Sequence, residues 1–348
     1  MKVAPVLSAL ATGDAKQTLV HTGQHYDANL SDAILHELGI PSPDVNLGVG
    51  SGSHAQQTGQ VMIGMEQCLL ERRPDIVVVY GDVNSTVGSA LAATKLGIQV
   101  AHVEAGLRSR DRSMPEEINR VVVDRLADWL YTPSEDANDN LLSEGCRPES
   151  IQFVGNVMID TLVRLLPIAD PQPLLERFGL TNGHGPKPFI LTTLHRASNV
   201  DDAEMLHRLM EVLSEISTEL PVVFPVHPRT RARLDDTWSG RPGLLLTEPL
   251  TYVQFLGLQR EARVVITDSG GIQEETTYLG VPCLTVRDNT ERPVTITEGT
   301  NRLVGRNPER LRTEVSSVLQ GANNHARIPT GWDGRAGSRI AEHLLSIQ

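Results

Sequence analysis

A glycine pair, a carboxylate and a guanidinium lie close together in one short stretch of the chain. Gly270 and Gly271 follow a short β-branched run, and residues with helical spacing come after them. The N–H groups of a helix N-terminus attract anions, and glycines let a phosphate approach the backbone. Glu275 could accept two O–H bonds from a ribose diol, and Arg292 could donate a forked pair of hydrogen bonds to phosphates. The pattern indicates a nucleotide site, although the glycines could also serve only as a tight turn.

A strand, a turn and a helix are needed to present those groups. Residues 264–267 form an apolar, β-branched run, which predicts a buried parallel strand. Asp268 and Ser269 come next and predict a cap for the following helix. Gly280 predicts the end of that helix. The segment therefore has the order of elements that suits an anion site at a helix N-terminus.

Two further carboxylates follow apolar strand patterns in the first half of the chain. Residues 75–80 predict the clearest strand, which leads to Asp82, and residues 100–103 predict the next strand, which leads to Glu104. Open α/β sheets bind ligands at the carboxyl ends of their strands. Asp82 alone could simply cap a helix, but two such carboxylates on consecutive strands are harder to explain in that way.

Two further pairs of neighbouring residues include candidates that also have strong structural explanations. Glu116 and Glu117 follow Pro115 at the start of a predicted helix, where acids favour the helix dipole without any catalytic role. His195 and Arg196 follow a predicted strand, and a lone histidine is often a structural residue. Their position at the carboxyl end of that strand also makes them candidates for ligand contact.

The composition limits the classes of function. A length of 348 residues allows two domains of ordinary size, and residues 167–188, rich in Pro and Gly, are the best boundary. No apolar run approaches the ~18 residues of a membrane span. The net charge of −12 argues against non-specific binding to nucleic acid or anionic lipid. Cys68, Cys146 and Cys283 are widely spaced, which predicts neither a metal site nor a disulfide framework and fits a cytoplasmic protein.

Longer motifs carry a resemblance to a known family. DSGGIQEE and RDNTERP occur in residues 268–293, HVEAGLRS occupies residues 102–109, and MPEEINR occupies residues 114–120. Together they resemble the non-hydrolysing UDP-N-acetylglucosamine 2-epimerases. The resemblance spans essentially the whole chain except its start.

That resemblance implies a fold class. It is α/β, with two Rossmann-like domains in the GT-B arrangement and an active-site cleft between them. The expected domains are residues 1–166 and the nucleotide-binding residues 167–334. A C-terminal helix within residues 335–348 is expected to pack back onto the first domain.

The resemblance also implies a reaction without a cofactor or a metal, the reversible conversion of UDP-N-acetylglucosamine into UDP-N-acetylmannosamine. UDP leaves by elimination to give 2-acetamidoglucal, C2 is reprotonated on the other face, and UDP adds back. Asp82 and Glu104 could stabilise positive charge on the ring, and His195 and Arg292 could stabilise the diphosphate. Proton transfer at opposite faces of C2 needs at least two acid/base groups. The candidates are Asp82, Glu104 and Glu116, with their faces unassigned.

Binding and regulatory roles follow from the same resemblance. The substrate-binding candidates are Lys2, Phe255, Ser269, Gly270, Gly271, Glu275 and Arg292. The candidates for a regulatory nucleotide site are Gln24, His25 and Arg196. Phe255 could flank the uracil ring, or it could simply pack in the core.

The start of the chain departs from the family pattern. In the family a strand and a Gly-Thr-Arg-Pro-Glu loop, whose Arg contacts the nucleotide, come before the helix that Lys2 begins here. The first sheet should therefore lack a strand that is central in a doubly wound order. A truncated or mis-started chain and a natural variant with a damaged site both fit. A second departure, Ala197-Ser198-Asn199 after Arg196, leaves activation by the substrate open.

Other functions stay open at this point. An epimerase for a UDP-diacetamido uronic acid would need a cation near the sugar C6, which the arginines of residues 108–120 could supply. A hydrolysing epimerase would release free N-acetylmannosamine and UDP. A GT-B glycosyltransferase would have an acceptor site, and an inactive UDP-sugar-binding protein would explain the lost loop. The expected partners are a UDP-sugar and a second copy in a homodimer, with no nucleic acid and no membrane.

Overall fold

The computed structural model describes residues 1–23, 35–182, 185–321 and 326–347. The chain divides into two compact units, one formed by Met1–Thr161 with Thr330–Gln348 and the other by Leu162–Pro329. Both units are α/β, and parallel strands build the main sheet of each. Among the described residues, no helix combines the length and the apolar character that crossing a membrane requires.

The first unit alternates helices and strands. In chain order they are α1 (Val3–Leu10), β1 (Val20–His21), β2 (Val45–Asn46), α2 (His54–Arg72), β3 (Ile76–Tyr80), α3 (Asn84–Lys95), β4 (Gln99–Val103), α4 (Pro115–Leu126), β5 (Trp129–Thr132), α5 (Glu135–Ser143) and β6 (Ile151–Phe153), followed by α6 (Val157–Leu165), which contains the division between the units. The C-terminal helix Ala336–Ser346 belongs to this unit. Strands β3, β4, β5 and β6 form one parallel sheet in that order.

Apolar side chains cover both faces of this sheet, which explains why its strands are nearly continuous apolar runs. On one face, Val61 of α2 and Val87 of α3 share a cluster with Val79. On the other face, Val6 of α1 and Ile340 of the C-terminal helix pack with strand residues. The C-terminal helix is thus an integral part of this unit.

The sheet of the first unit is interrupted between β1 and β3. Strands β1 and β2 form a separate two-stranded parallel sheet, in which Val20 pairs with Val45. A cavity of about 710 Å³ is lined by residues of both β1 and β3. Within the described part of the chain no strand lies between these two.

The second unit has one continuous sheet. Its elements are α7 (Gln172–Arg177), β7 (Thr181–Asn182), β8 (Gly185–Pro186), β9 (Ile190–Thr193), α8 (Ala197–Val200), α9 (Ala203–Ile216), β10 (Val222–Pro225), α10 (Pro228–Arg231), β11 (Leu244–Thr247), α11 (Tyr252–Glu261), β12 (Val264–Thr267), α12 (Gly270–Leu279), β13 (Cys283–Thr285), α13 (Val294–Thr297), β14 (Asn301–Leu303) and α14 (Pro308–Leu319). Six parallel strands run in the order β11-β10-β9-β12-β13-β14. The central position of β9 and β12 brings the ends of these two strands, and the residues after them, side by side.

Candidate functional site

Asp82 lies at the carboxyl end of β3, directly after Gly81. Gly81 has a φ of +66°, a conformation that residues with a side chain rarely adopt. A Cβ added there would lie 2.7 Å from Lys2 Nζ and 3.4 Å from Glu104 Oε2. The Asp82 side chain accepts a hydrogen bond of 2.5 Å from Arg120 Nη2. This turn therefore needs glycine, and it places Asp82 beside a buried arginine.

Glu104 occupies the equivalent position after β4. Its φ of +74° is in the left-handed region, where strain is a feature of functional sites. The backbone N–H groups of Glu104 and Ala105 both donate to the Tyr131 carbonyl, at 3.1 and 3.0 Å, and hold this conformation. The residue Glu104 is 7% exposed, and its carboxylate pairs with the Lys2 ammonium. The structure thus brings together a predicted binding residue and a predicted catalytic residue.

Glu116 and Glu117 are neighbours on α4 with opposite surroundings. The buried Glu117 carboxylate accepts hydrogen bonds from Arg120 and from the N–H groups of Ser109 and Arg110. Burial alone would raise the pKa of Glu117, but these hydrogen bonds outweigh it and the pKa lies below its usual value. Glu116 is half-buried, and its carboxylate makes no hydrogen bond or ion pair with any residue in the described part of the chain.

A buried polar cluster that the sequence analysis missed lies behind these loops. His102 of β4 is fully buried and contacts Asp124 through Nδ1 at 2.7 Å and the Gly81 carbonyl through Nε2 at 2.8 Å. Asp124 also pairs with Arg108 at 2.7 Å and accepts the Gly106 N–H at 3.1 Å. The sequence does contain a signal for this cluster, namely a histidine inside an apolar strand pattern. A buried polar group of this kind needs hydrogen-bond partners.

In the second unit, Asp268 organises the residues after β9. Its carboxylate accepts the N–H groups of His195 and Arg196 and lies 2.9 Å from His195 Nδ1. Burial would raise the pKa of Asp268, but the contacts with His195 and the other donors hold it below its usual value. The prediction that Asp268 and Ser269 cap α12 is wrong, because the Asp268 side chain points to these donors and Ser269, the N-cap residue, makes no side-chain capping bond.

His195 has a second histidine as its neighbour. The rings of His195 and His227 are 5.7 Å apart. His227 Nδ1 accepts the N–H of Arg229 at the start of α10, so this nitrogen carries no proton. Burial, and the nearby positive charges of His195 and Arg229, lower the pKa of His227. His227 is therefore neutral at neutral pH, and it is more exposed than the half-buried His195.

The start of α12 lies against Arg292, as the nucleotide-site prediction requires. A Cβ on Gly270 would lie 2.6 Å from Arg292 Nη1, so a side chain there would displace the guanidinium. Arg292 is buried, and it pairs with Glu274 at 2.9 Å and with Glu291. Its charge is thus shared with two carboxylates that the sequence analysis left out.

Glu275 and Phe255 are less accessible than their predicted roles suggest. Glu275 is buried and accepts a hydrogen bond of 3.0 Å from the Tyr252 hydroxyl. Burial, and secondarily the charge of Glu274, raise the pKa of Glu275 to about 7. Phe255 packs against the apolar cluster that includes Leu258, which is the packing use left open by the sequence. The predicted regulatory residues Gln24 and His25 lie outside the described residues.

Comparison with known proteins shows the family. The family model for UDP-N-acetylglucosamine 2-epimerase matches residues 9–345. A UDP-N-acetylglucosamine 2-epimerase of Methanococcus maripaludis is 42% identical over 98% of this chain and 93% of its own length. A UDP-2,3-diacetamido-2,3-dideoxy-D-glucuronate 2-epimerase of Pseudomonas aeruginosa is 41% identical over 95% of this chain and 92% of its own.

A solved structure is equally similar. The Methanocaldococcus jannaschii UDP-GlcNAc 2-epimerase in complex with UDP-GlcNAc and UDP has a TM-score of 0.90 and 41% identity, covering 99% of this chain and 96% of that one. The predicted α/β class with two Rossmann-like domains is confirmed, and so is the resemblance that the motifs carry. The chain belongs to the UDP-N-acetylglucosamine 2-epimerase family.

Proposed function

We propose that this chain interconverts UDP-N-acetylglucosamine and UDP-N-acetylmannosamine, the two epimers at C2 of the sugar. One observation carries the proposal, namely the likeness over 99% of the chain to an enzyme whose structure holds UDP-GlcNAc and UDP. The proposed route is elimination of UDP to 2-acetamidoglucal, followed by protonation of the other face and re-addition. Each unit supplies one part of the chemistry that this route needs.

The start of α12 supports binding of the diphosphate. Ser269 does not cap the helix, so its side chain leaves the N–H groups of the first turn to a ligand. Gly270 and Gly271 add no side chain there, and Arg292 lies against Gly270. Helix N-terminal N–H groups and a guanidinium together stabilise the negative charge that grows as the C1–O bond breaks.

His195 is the proposed partner of the leaving group. Its Nδ1 contacts the ionised Asp268, so the ring presents Nε2 as the nitrogen for a ligand. A carboxylate that orients an imidazole in this way is a common support for an acid/base histidine. The side chain is 38% exposed, which leaves it accessible to a phosphate oxygen.

The strand-end acids of the first unit support proton transfer at C2. Asp82 is paired with Arg120 and Glu104 with Lys2, so each of these two carboxylates already has a cationic partner. Glu116 has no cationic partner among the described residues, so we assign to it the removal of the C2 proton in one direction. Asp82 or Glu104 then serves the opposite face and stabilises charge on the ring.

Proton NMR of the protein with UDP-N-acetylglucosamine in deuterated water tests the proposal. We expect deuterium at C2 and a signal from UDP-N-acetylmannosamine. Sugar transfer to an acceptor without exchange at C2 would select a glycosyltransferase instead. Release of free N-acetylmannosamine would select a hydrolysing epimerase. UDP-sugar binding without exchange would leave an inactive binding protein.

A second substrate is supported by the Pseudomonas aeruginosa relative, which is named for a UDP-diacetamido uronate. Such a substrate needs a cation near its C6 carboxylate. Arg108 and Arg120 are each committed to buried carboxylates. Arg110, with a side chain that is 63% exposed, and the exposed Arg112 are the remaining candidates. The same NMR experiment with the diacetamido uronate nucleotide decides between the substrates by their relative kcat/KM.

We further propose a homodimer that uses α2. Ile63 and Leu70 are 71% and 56% exposed, and they lie two turns apart on one side of this helix. An exposed apolar stripe of this kind suits a second copy of the chain. Light scattering after size exclusion is expected to give twice the chain mass, and Ile63→Asp to give a monomer.

We place the protein in the cytoplasm. Cys68, Cys146 and Cys283 are all described and form no disulfide, which suits a reducing compartment. Fractionation of the source cells, with the chain detected by antibody, is expected to find it with cytoplasmic markers.

A further inference from the structure

We propose that His102 is a positioning residue for the proposed reaction. It works as an imidazolium ion that fixes the position of the Asp82 loop relative to the Glu104 loop. The inference rests on the proposed function. It concerns a residue that contacts neither loop's carboxylate and that acts through the backbone of both.

The charge of His102 follows from its two partners. A peptide carbonyl only accepts hydrogen bonds, so His102 Nε2, at 2.8 Å from the Gly81 oxygen, carries a proton. The Asp124 carboxylate, at 2.7 Å from Nδ1, accepts as well. Asp124 also accepts from Arg108 at 2.7 Å and from the Gly106 N–H at 3.1 Å, and these donors favour the ionised carboxylate independently of His102. A ring with a proton on both nitrogens is the cation.

The same ion pair reaches both loops that carry candidate carboxylates. His102 holds the carbonyl of Gly81, the residue before Asp82, while the Gly81 N–H donates to the Val103 carbonyl at 3.0 Å. Asp124 holds the N–H of Gly106, two residues after Glu104, at 3.1 Å. One imidazolium–carboxylate pair therefore connects the turn of Asp82 to the turn of Glu104.

Arg108 completes the cluster and explains how a cation can be buried here. Its guanidinium bonds Asp124 and also Glu144, which is partly exposed. Asp124 thus has a cation on each oxygen, and the net positive charge faces the Gly81 carbonyl and Glu144. Loss of the ring proton would leave either the Gly81 carbonyl or Asp124 Oδ1 without its donor from His102, which is costly in a buried site.

The reaction depends on this alignment because the acids must meet C2 on opposite faces. A displacement of about 1 Å of a positioned group can cost on the order of 100-fold in rate. Neither Asp82 nor Glu104 can hold the other directly, since each is paired with its own cation. The His102–Asp124 pair adds a side-chain link between the two loops to the backbone hydrogen bond from Gly81 to Val103.

Two amide variants test separately the hydrogen bonds that His102 makes with Gly81 and with Asp124. In His102→Asn the amide matches Nδ1 and can still donate to Asp124, but the bond to Gly81 is lost. In His102→Gln the amide matches Nε2 and can still donate to Gly81, but the bond to Asp124 is lost. Both variants remove the charge. We expect kcat to fall by about 100-fold in His102→Asn and by about tenfold in His102→Gln, with KM nearly unchanged in both.

Tyr131→Phe is the matched control. Tyr131 is equally buried on the neighbouring strand β5, and the variant loses one hydrogen bond, to His343 Nδ1 at 2.9 Å, without touching Gly81. We expect it to lower the melting temperature while keeping kcat. The proposal is overturned if His102→Asn keeps wild-type kcat, or if kcat in all three variants simply follows the melting temperature.

Nitrogen-15 NMR of the imidazole rings gives a test that does not need a variant. It distinguishes the imidazolium from either neutral tautomer, and we expect His102 at neutral pH to show a proton on both nitrogens; a neutral His102 would contradict the proposal. An inactive wild-type protein would instead refute the proposed function. An active wild type with an unaffected His102→Asn would refute only this inference.

Discussion

The strand-end loops of the first unit and the Ser-Gly-Gly turn of the second bury their carboxylates in different ways. In the first unit Asp82, Glu104 and Asp124 each have a cationic partner. In the second unit Asp268 accepts backbone N–H groups and contacts the His195 ring, and Glu275 accepts from the Tyr252 hydroxyl with no ion pair to a cation among the described residues. Ion pairing keeps the first set charged, as chemistry on a cationic ring requires. Burial without a cation leaves Glu275 able to change charge near neutral pH.

The largest expected effect tests whether the ionised acids of the first unit do the chemistry. Glu104→Gln keeps the shape of the side chain but removes its charge and its ability to move a proton. We expect turnover to fall by about 1000-fold, because general acid–base groups contribute on this order, while UDP binding measured by calorimetry stays the same. Unchanged turnover would remove Glu104 from the mechanism.

The next effect concerns stability at the turn of the second unit. Arg292→Met removes the guanidinium that pairs with the buried Glu274 and Glu291. We expect the free energy of unfolding in urea to fall by about 3 kcal/mol, since a buried charge without its partner is strongly destabilising. UDP binding should weaken as well.

Arg327→Met provides the control for this loss. Arg327 pairs with Glu298 in the same unit, but its side chain is 75% exposed. Exposed ion pairs contribute little to stability, so we expect almost no change in the urea midpoint. Equal losses of unfolding free energy in the two variants would mean that the buried ion pairs of Arg292 stabilise the protein no more than the exposed pair of Arg327.

Glu275 predicts that the stability of the protein depends on pH below neutrality. Its pKa of about 7 in the folded protein, against an ordinary value of 4.5, means that the folded state holds this proton more tightly. The unfolding free energy should therefore fall as pH rises from about 4.5 to about 7, by roughly 3 kcal/mol in total. Glu275→Gln should remove this slope in urea titrations across that range. A slope that persists in the variant would assign it to another group.

Local sequence pattern predicted the elements of both regions but not their charge partners. The strands before Asp82, Glu104 and Asp268 are apolar runs, and such runs can be recognised from consecutive residues alone. The Asp268 cap was wrong because its donors, at His195, lie 73 positions away in the chain. The pairing of Lys2 with Glu104 is equally non-local. Such contacts depend on how strands order themselves in the sheet, which periodicity does not specify.

The choice between Glu116 and Glu117 shows the same limit and gives the smallest of these predictions. Both acids fit the first turn of a helix, and the Ser109–Arg110 backbone and Arg120, which contact Glu117, separate them. Glu117→Gln should lower the free energy of unfolding by about 2 kcal/mol, because a buried carboxylate that accepts several hydrogen bonds is lost. Glu116→Gln should leave the unfolding curve unchanged and reduce turnover. The two variants change the same atoms at adjacent positions. If Glu117→Gln lost turnover and Glu116→Gln lost stability instead, Glu117 would be the acid that moves the proton.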